Sequence, residues 1–182
     1  MLTETPPPAP PAHARRGPHP VLSALALLGS IALALGVGFA GSLATVSHVD
    51  GWYADAEKAP WTPPDAVFGP VWTVLYLAMA VAVWLVWRRR RESAVAPALV
   101  AYAVQLALNA AWTPVFFALY PAWGVAALWT AFGIILALIA AVIVTILRFW
   151  PIHRGAAVLL MPYLAWVLFA SSLNLTLAVY AS

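Results

Sequence analysis

The chain has 182 residues, 64% of them hydrophobic and only 8% charged, with nine basic and six acidic side chains and a formal net charge of +3. So few charges cannot coat a water-soluble globule of this size, which excludes a soluble fold and makes the chain an integral membrane protein. Without cysteine there are no disulfides, thiolate metal sites or cysteine nucleophiles, and without a basic helical face no nucleic-acid partner is expected.

The first twenty residues hold seven of the sixteen prolines and nothing able to build a core. Residues 1–20 therefore read as a disordered, proline-rich extension, and residues 21–182 as one all-α transmembrane domain. Its first uncharged stretch, 21–45, can cross roughly 30 Å of hydrocarbon at about 1.5 Å per residue. It exceeds the about 7–15 apolar residues of a signal peptide, so it reads as a span despite Arg15 and Arg16 ahead of it. A polar loop follows with four of the six acids, Asp50, Asp55, Glu57 and Asp65, and the only lysine, Lys58. Further spans read at 66–87, 94–119, 122–147 and 155–180, separated by Arg88 to Glu92, by a Tyr120–Pro121 turn and by residues 148–154. The prediction is a bundle of five transmembrane helices, with the termini on opposite faces. One face collects Arg15, Arg16, Arg88, Arg89, Arg90, Arg91, Arg148 and Arg154, the other only Lys58. The positive-inside rule then puts the N-terminus in the cytoplasm and the C-terminus outside, in a bacterial cytoplasmic membrane, with the acidic loop over the outer mouth.

All five spans lack ionisable residues, which argues against a proton-coupled pump and against a small multidrug exporter with a carboxylate in its first helix. The absence of internal repeats gives no support to a paired-halves transporter. His13, His19, His48 and His153 fall in the tail and loops with no metal-ligand spacing, so they read as solvated histidines and no metal or cofactor is expected. The polar residues within the spans are neutral. Gln105, Asn109, Trp112 and Thr113 share one face of the third span, Trp72 and Tyr76 one face of the second, and Tyr163, Trp166, Ala170 and Asn174 one face of the fifth. Such aromatic-plus-amide stripes suit either a cavity for a large, flat, mostly apolar ligand or interhelical packing, and spacing alone favours neither. Trp84, Trp87, Trp123 and Trp150 lie near span ends as interfacial anchors; Trp129 is mid-span and without an assignment. Ala103, Ala107 and Ala111 form a small-residue stripe off the polar face, where the third span can pair with a second copy in a homodimer or pack within the monomer.

The loop after the first span reads WYADAEKAPWTPP over 52–64 and continues as VFGPVWTVLY over 67–76; the third span adds QLALNAAWTPVFF over 105–117 and the fifth PYLAWVLFASSLN over 162–174. Together these closely resemble the tryptophan-rich sensory protein and translocator protein family (TspO/MBR), whose mammalian members were called peripheral benzodiazepine receptors. The resemblance covers residues 21–180. It implies a five-helix bundle, commonly dimeric, that binds porphyrins such as protoporphyrin IX and haem-pathway intermediates, and isoquinoline or benzodiazepine-type ligands. Carried over by position, its pocket uses Tyr53, Trp72, Tyr76, Asn109, Trp112, Thr113, Trp166 and Ala170. It also implies, for some members, light-dependent porphyrin degradation that needs tryptophans at Trp72 and Trp166, the only catalytic candidates here. The chain departs from the family's pattern at Thr113, more usually serine; at Pro114, which weakens the helix one turn back; and at Ala59, where proline is frequent. The cholesterol motif after the fifth span lacks its basic residue, so no sterol role is expected. The functional expectation is a porphyrin receptor or sensor whose loop closes over the ligand, with a tetrapyrrole transporter or a light-dependent degrading protein as alternatives.

Overall fold

The computed structural model describes residues 19–182, so the predicted tail, including His13, Arg15 and Arg16, lies outside the described residues up to residue 18. Pro20, expected in that tail, instead opens the first helix at a position where its missing N–H costs nothing. Eight helices follow in order: α1 (Pro20–Val49), α2 (Trp52–Asp55), α3 (Asp65–Trp87), α4 (Val95–Phe117), α5 (Tyr120–Trp123), α6 (Val125–Phe149), α7 (Arg154–Leu159) and α8 (Met161–Tyr180), with no strand among the described residues. Five are long and apolar enough to cross a membrane when α7 and α8 count as one span, which is interrupted only at Leu160. In hydrocarbon every backbone N–H and C=O must be satisfied within the segment, so uncharged runs of this length have no alternative to the helix.

Three elements depart from the sequence expectation. The first helix runs to Val49 because nothing breaks it before Asp50 and Gly51. The acidic loop contains a helical turn, α2, and the Tyr120–Pro121 turn is itself the short helix α5. Gly124, at φ +56°, ends α5 and starts α6 in a left-handed conformation that disfavours any side chain.

The spans form a ring: α1 lies between α3 and α4, α6 packs against α4 and α8, and α7–α8 returns to α3. Side chains lock neighbours together. The Trp84 indole donates to the Ser23 carbonyl at 2.8 Å and the Ser30 hydroxyl to the Ala80 carbonyl at 3.1 Å, joining α1 to α3. The Asn174 amide donates to the Leu128 carbonyl at 3.0 Å, joining α8 to α6. Met79, Tyr163, Ile135, Leu138, Val167 and Phe149 fill the interior, while Leu25, Leu28, Leu33 and Leu43 of α1 face outward, as a lipid solvent permits. The two ends of the ring differ in charge. Arg88, Arg89, Arg90, Arg91, Arg148 and Arg154 gather at one, which we call the basic end; Asp50, Asp55, Glu57 and Asp65 lie at the other, the lid end.

Candidate ligand cavity

A cavity of about 530 Å³ occupies the lid-end half of the bundle between α1, α3, α4 and α8. That volume lies within the usual range of small-molecule sites. Trp72, Tyr76 and Phe68 line it from α3, Trp112, Thr113, Phe116 and Phe117 from α4, and Trp166, Ala170 and Asn174 from α8. The rings are mutually braced. Trp72 stacks on Tyr76 with centroids 5.5 Å apart, Trp112 on Phe116 at 5.2 Å, and Phe68 meets Trp166 edge-on at 5.7 Å. Such contacts add to the area that aromatic side chains bury and fix the orientation of the walls.

Two of the polar groups at the wall are committed to each other. The Trp112 indole donates to Asn174 Oδ1 at 3.1 Å while the other end of that amide is held by Leu128, so neither amide end is free. Trp166 differs: its indole N–H is fully buried and has no partner among the described residues. A buried donor left unpaired costs about 1–3 kcal/mol, and a ligand acceptor can remove that cost.

Depth along the helices decides which expected residues reach the cavity. Tyr53, Trp72, Tyr76, Trp112, Thr113, Trp166, Ala170 and Asn174 do. Gln105, Asn109 and Tyr163 do not; they lie one or more turns deeper, below the floor. There the Tyr76 hydroxyl donates to Asn109 Oδ1 at 2.7 Å and Asn109 Nδ2 donates to the Tyr163 hydroxyl at 3.0 Å. Gln105 contacts the Met79 sulfur at 3.9 Å and leaves its Oε1 unpaired. Sharing a helical face does not mean sharing a level, and these three position the floor instead of lining the wall.

The α1 wall was not read from the sequence. Gly38, Phe39, Gly41, Ser42 and Thr45 line the cavity. A Cβ on Gly38 would sit 2.5 Å from Tyr76 Cε2, and one on Gly41 would touch the Thr113 methyl at 3.4 Å. The glycine spacing of α1 is therefore the signal that marks its close approach to the floor tyrosine.

The segment from Trp52 to Asp65 covers the mouth. The Trp52 ring stacks on Tyr120 with centroids 3.8 Å apart, and its N–H donates to the Phe117 carbonyl at 3.0 Å. Tyr53 is buried against Phe117 at 5.3 Å, with the Lys58 ammonium over its ring at 4.7 Å. Trp61 reaches Ser172 of α8 at 3.3 Å. Burial, and secondarily the Asp65 carboxylate, raise the Tyr53 phenol above its ordinary pKa. Among the described residues Asp65 is the one charged residue on the cavity lining. The expected interfacial anchors lie at the bundle ends, Arg88 over the Trp84 ring and Arg90 over that of Trp87, and Trp129 reaches Ser182 at 3.4 Å.

Comparison with known proteins agrees with this architecture. Residues 30–180 match the model of the TspO/MBR family. The chain is 40% identical to the tryptophan-rich protein TspO of Archaeoglobus fulgidus over 156 residues, covering 84% of this chain and 95% of the relative. It is 41% identical to the translocator protein of Homo sapiens over 126 residues, covering 68% and 70%. It is 37% identical to a tryptophan-rich sensory protein of Cereibacter sphaeroides over 125 residues, covering 69% and 73%. With the matched family model spanning the bundle from α1 to the last turn of α8, the chain belongs to the TspO/MBR family.

Proposed function

We propose that the protein is a membrane receptor or sensor for a flat, mostly apolar ligand of the tetrapyrrole class, protoporphyrin IX or a related haem-pathway intermediate. Isoquinoline and benzodiazepine-type molecules enter the same cavity. The observation that carries this reading is the cavity of about 530 Å³ walled by Trp72, Trp112 and Trp166. Indole faces give a planar aromatic ligand stacking surface without demanding a fixed polar pattern. The relatives named sensory protein and translocator protein support a receptor role. The ligand enters past Asp65 and Tyr53, the α2 segment closes over it, and a partner reads the occupied state.

The basic end faces the cytoplasm of a bacterial cell and the lid end faces outside, in keeping with the arginine bias. The receptor works as a homodimer through the exposed stripe of Ala103, Ala107 and Ala111 on α4, which lies off the cavity wall. The test is a fluorescence titration of the detergent-purified protein with protoporphyrin IX in darkness. Saturable quenching at a fixed stoichiometry is expected; linear, non-saturating quenching would remove the receptor reading.

A second reading, light-dependent degradation of the bound porphyrin, is favoured by one feature: Trp72 and Trp166 both face the cavity, and Trp72 stacks on Tyr76 behind it. Indole and phenol are then placed as electron donors beside an excited macrocycle. Illuminating the saturated complex separates the two. A stable porphyrin absorbance supports the receptor alone, and bleaching that disappears in a Trp72→Phe/Trp166→Phe variant supports degradation.

A further inference from the structure

The arginine run that follows α3 divides between two uses. Arg88 and Arg90 lie over indoles at the end of α3, 4.9 Å from the Trp84 ring centroid and 4.3 Å from that of Trp87. A guanidinium on an indole face at a span end is an interfacial anchor. Arg89 crosses to another element, where its Nη1 donates to the carbonyl of Ile152 in the turn between α6 and α7. That bond uses one of five guanidinium donors. Arg89 also borders a second concavity of about 630 Å³, which it walls with Trp150, Ile152, His153 and Arg154.

The turn beneath this cleft is fixed. Ile152 is buried, the His153 N–H donates to the Phe149 carbonyl at 2.7 Å, and His153 Nδ1 accepts from the Ala156 N–H at 3.1 Å. Trp150, on the rim, is 43% exposed. Among the described residues six arginines surround this end and a single acid, Glu92, opposes them. The cleft thus combines two arginine forks, an indole wall and a rigid floor at the level where a span meets the headgroup region.

We propose that this cleft binds the phosphate-bearing headgroup of an anionic membrane lipid. Guanidinium forks match phosphate oxygens in pairs, which a lysine does not. Basic clefts between spans on the cytoplasmic side suit such headgroups, and the Trp150 indole suits the boundary between headgroup and acyl chain. Orientation bias alone asks only for summed positive charge. It does not account for Arg89 leaving its neighbours to border a cleft with Arg154. A lipid held there bridges the end of α3 to the α6–α7 turn, so its binding stabilises the bundle.

The test measures the thermal unfolding midpoint of the full chain in neutral detergent with added phosphatidylglycerol, phosphatidylcholine, or inorganic phosphate at matched ionic strength. Two double variants lose the same charge: Arg89→Gln/Arg154→Gln in the cleft, and Arg88→Gln/Arg90→Gln outside it. Phosphatidylglycerol is expected to raise the midpoint of the native chain and of Arg88→Gln/Arg90→Gln alike. Its apparent affinity should fall about tenfold or more in Arg89→Gln/Arg154→Gln, the loss of roughly 1.4 kcal/mol. Because Arg89→Gln also removes the bond to Ile152, Arg154→Gln is measured alone and must weaken the lipid effect by itself. Equal losses in both double variants, equal stabilisation by phosphatidylcholine, or full reproduction of the effect by inorganic phosphate would each overturn the proposal.

Discussion

Replacing Gly38 by alanine tests whether α1 is built to lie on the cavity floor. An added Cβ would stand 2.5 Å from Tyr76 Cε2 and 2.8 Å from Cδ2, well inside van der Waals contact. A free ring would swing away, but this one stacks on Trp72 and its hydroxyl is held by Asn109 at 2.7 Å. Moving it forfeits that hydrogen bond, about 0.5–1.5 kcal/mol, or forces overpacking, typically 1–3 kcal/mol. Against this, alanine in a helix gains about 0.5–1 kcal/mol over glycine. The net expectation for Gly38→Ala is a loss of up to about 2.5 kcal/mol once the helix gain is subtracted from the overpacking cost, together with weaker porphyrin binding because the floor ring has shifted. A Cβ added to Gly36, earlier on the same helix, would meet nothing within 4 Å, so Gly36→Ala should be neutral or stabilising. Thermal unfolding and porphyrin titration of the two variants side by side read this out. Indistinguishable behaviour of Gly38→Ala and Gly36→Ala would refute the account of α1.

Other expectations concern the polar groups around the cavity. Asn174→Ala strands the Trp112 indole N–H and removes the tie from α8 to the Leu128 carbonyl, which keeps its helical partner within α6, so it should cost about 1–3 kcal/mol by denaturant unfolding. The raised Tyr53 pKa means the folded chain keeps a proton that the unfolded chain loses above about pH 10. Stability from Tyr53 is therefore fully present below that pH and is lost as pH rises through the higher folded-state value. Phenolate absorbance, compared with Tyr53→Phe, should show this late ionisation, and Asp65→Asn should move it downward. The same Asp65→Asn change removes a negative charge from the cavity lining, so it should strengthen binding of the dicarboxylate protoporphyrin IX several-fold at low salt while leaving its dimethyl ester unaffected. Parallel changes for both ligands would place Asp65 away from the ligand's charged edge.

The spans were legible because a bilayer leaves an uncharged run one structural option, and their limits shifted only where capping and glycine chemistry, not hydropathy, set the end: α1 continues to Val49 and α5 forms ahead of Gly124. The candidate site was legible by face but not by depth. Periodicity put Gln105 and Asn109 with Thr113, yet α4 descends about 1.5 Å per residue from the lid, which carries Gln105 to the level of Met79 and Asn109 to that of Tyr163. The contribution of α1 was hidden because Gly38, Gly41 and Ser42 carry neither rings nor charges; only the spacing of small residues marked it. The lid was legible as a motif, but not as a helical turn that seats Trp52 on Tyr120.

The central claim is that a planar aromatic ligand occupies the space between Trp72 and Trp166. Protoporphyrin titrations of Trp72→Phe, Trp166→Phe and Trp84→Phe, read in darkness through the remaining tryptophan fluorescence, test it most directly. The account predicts about tenfold or greater weakening for the two cavity variants and native affinity for Trp84→Phe, which lies at the basic end against Ser23 and Arg88. Equal affinity across all three would contradict it.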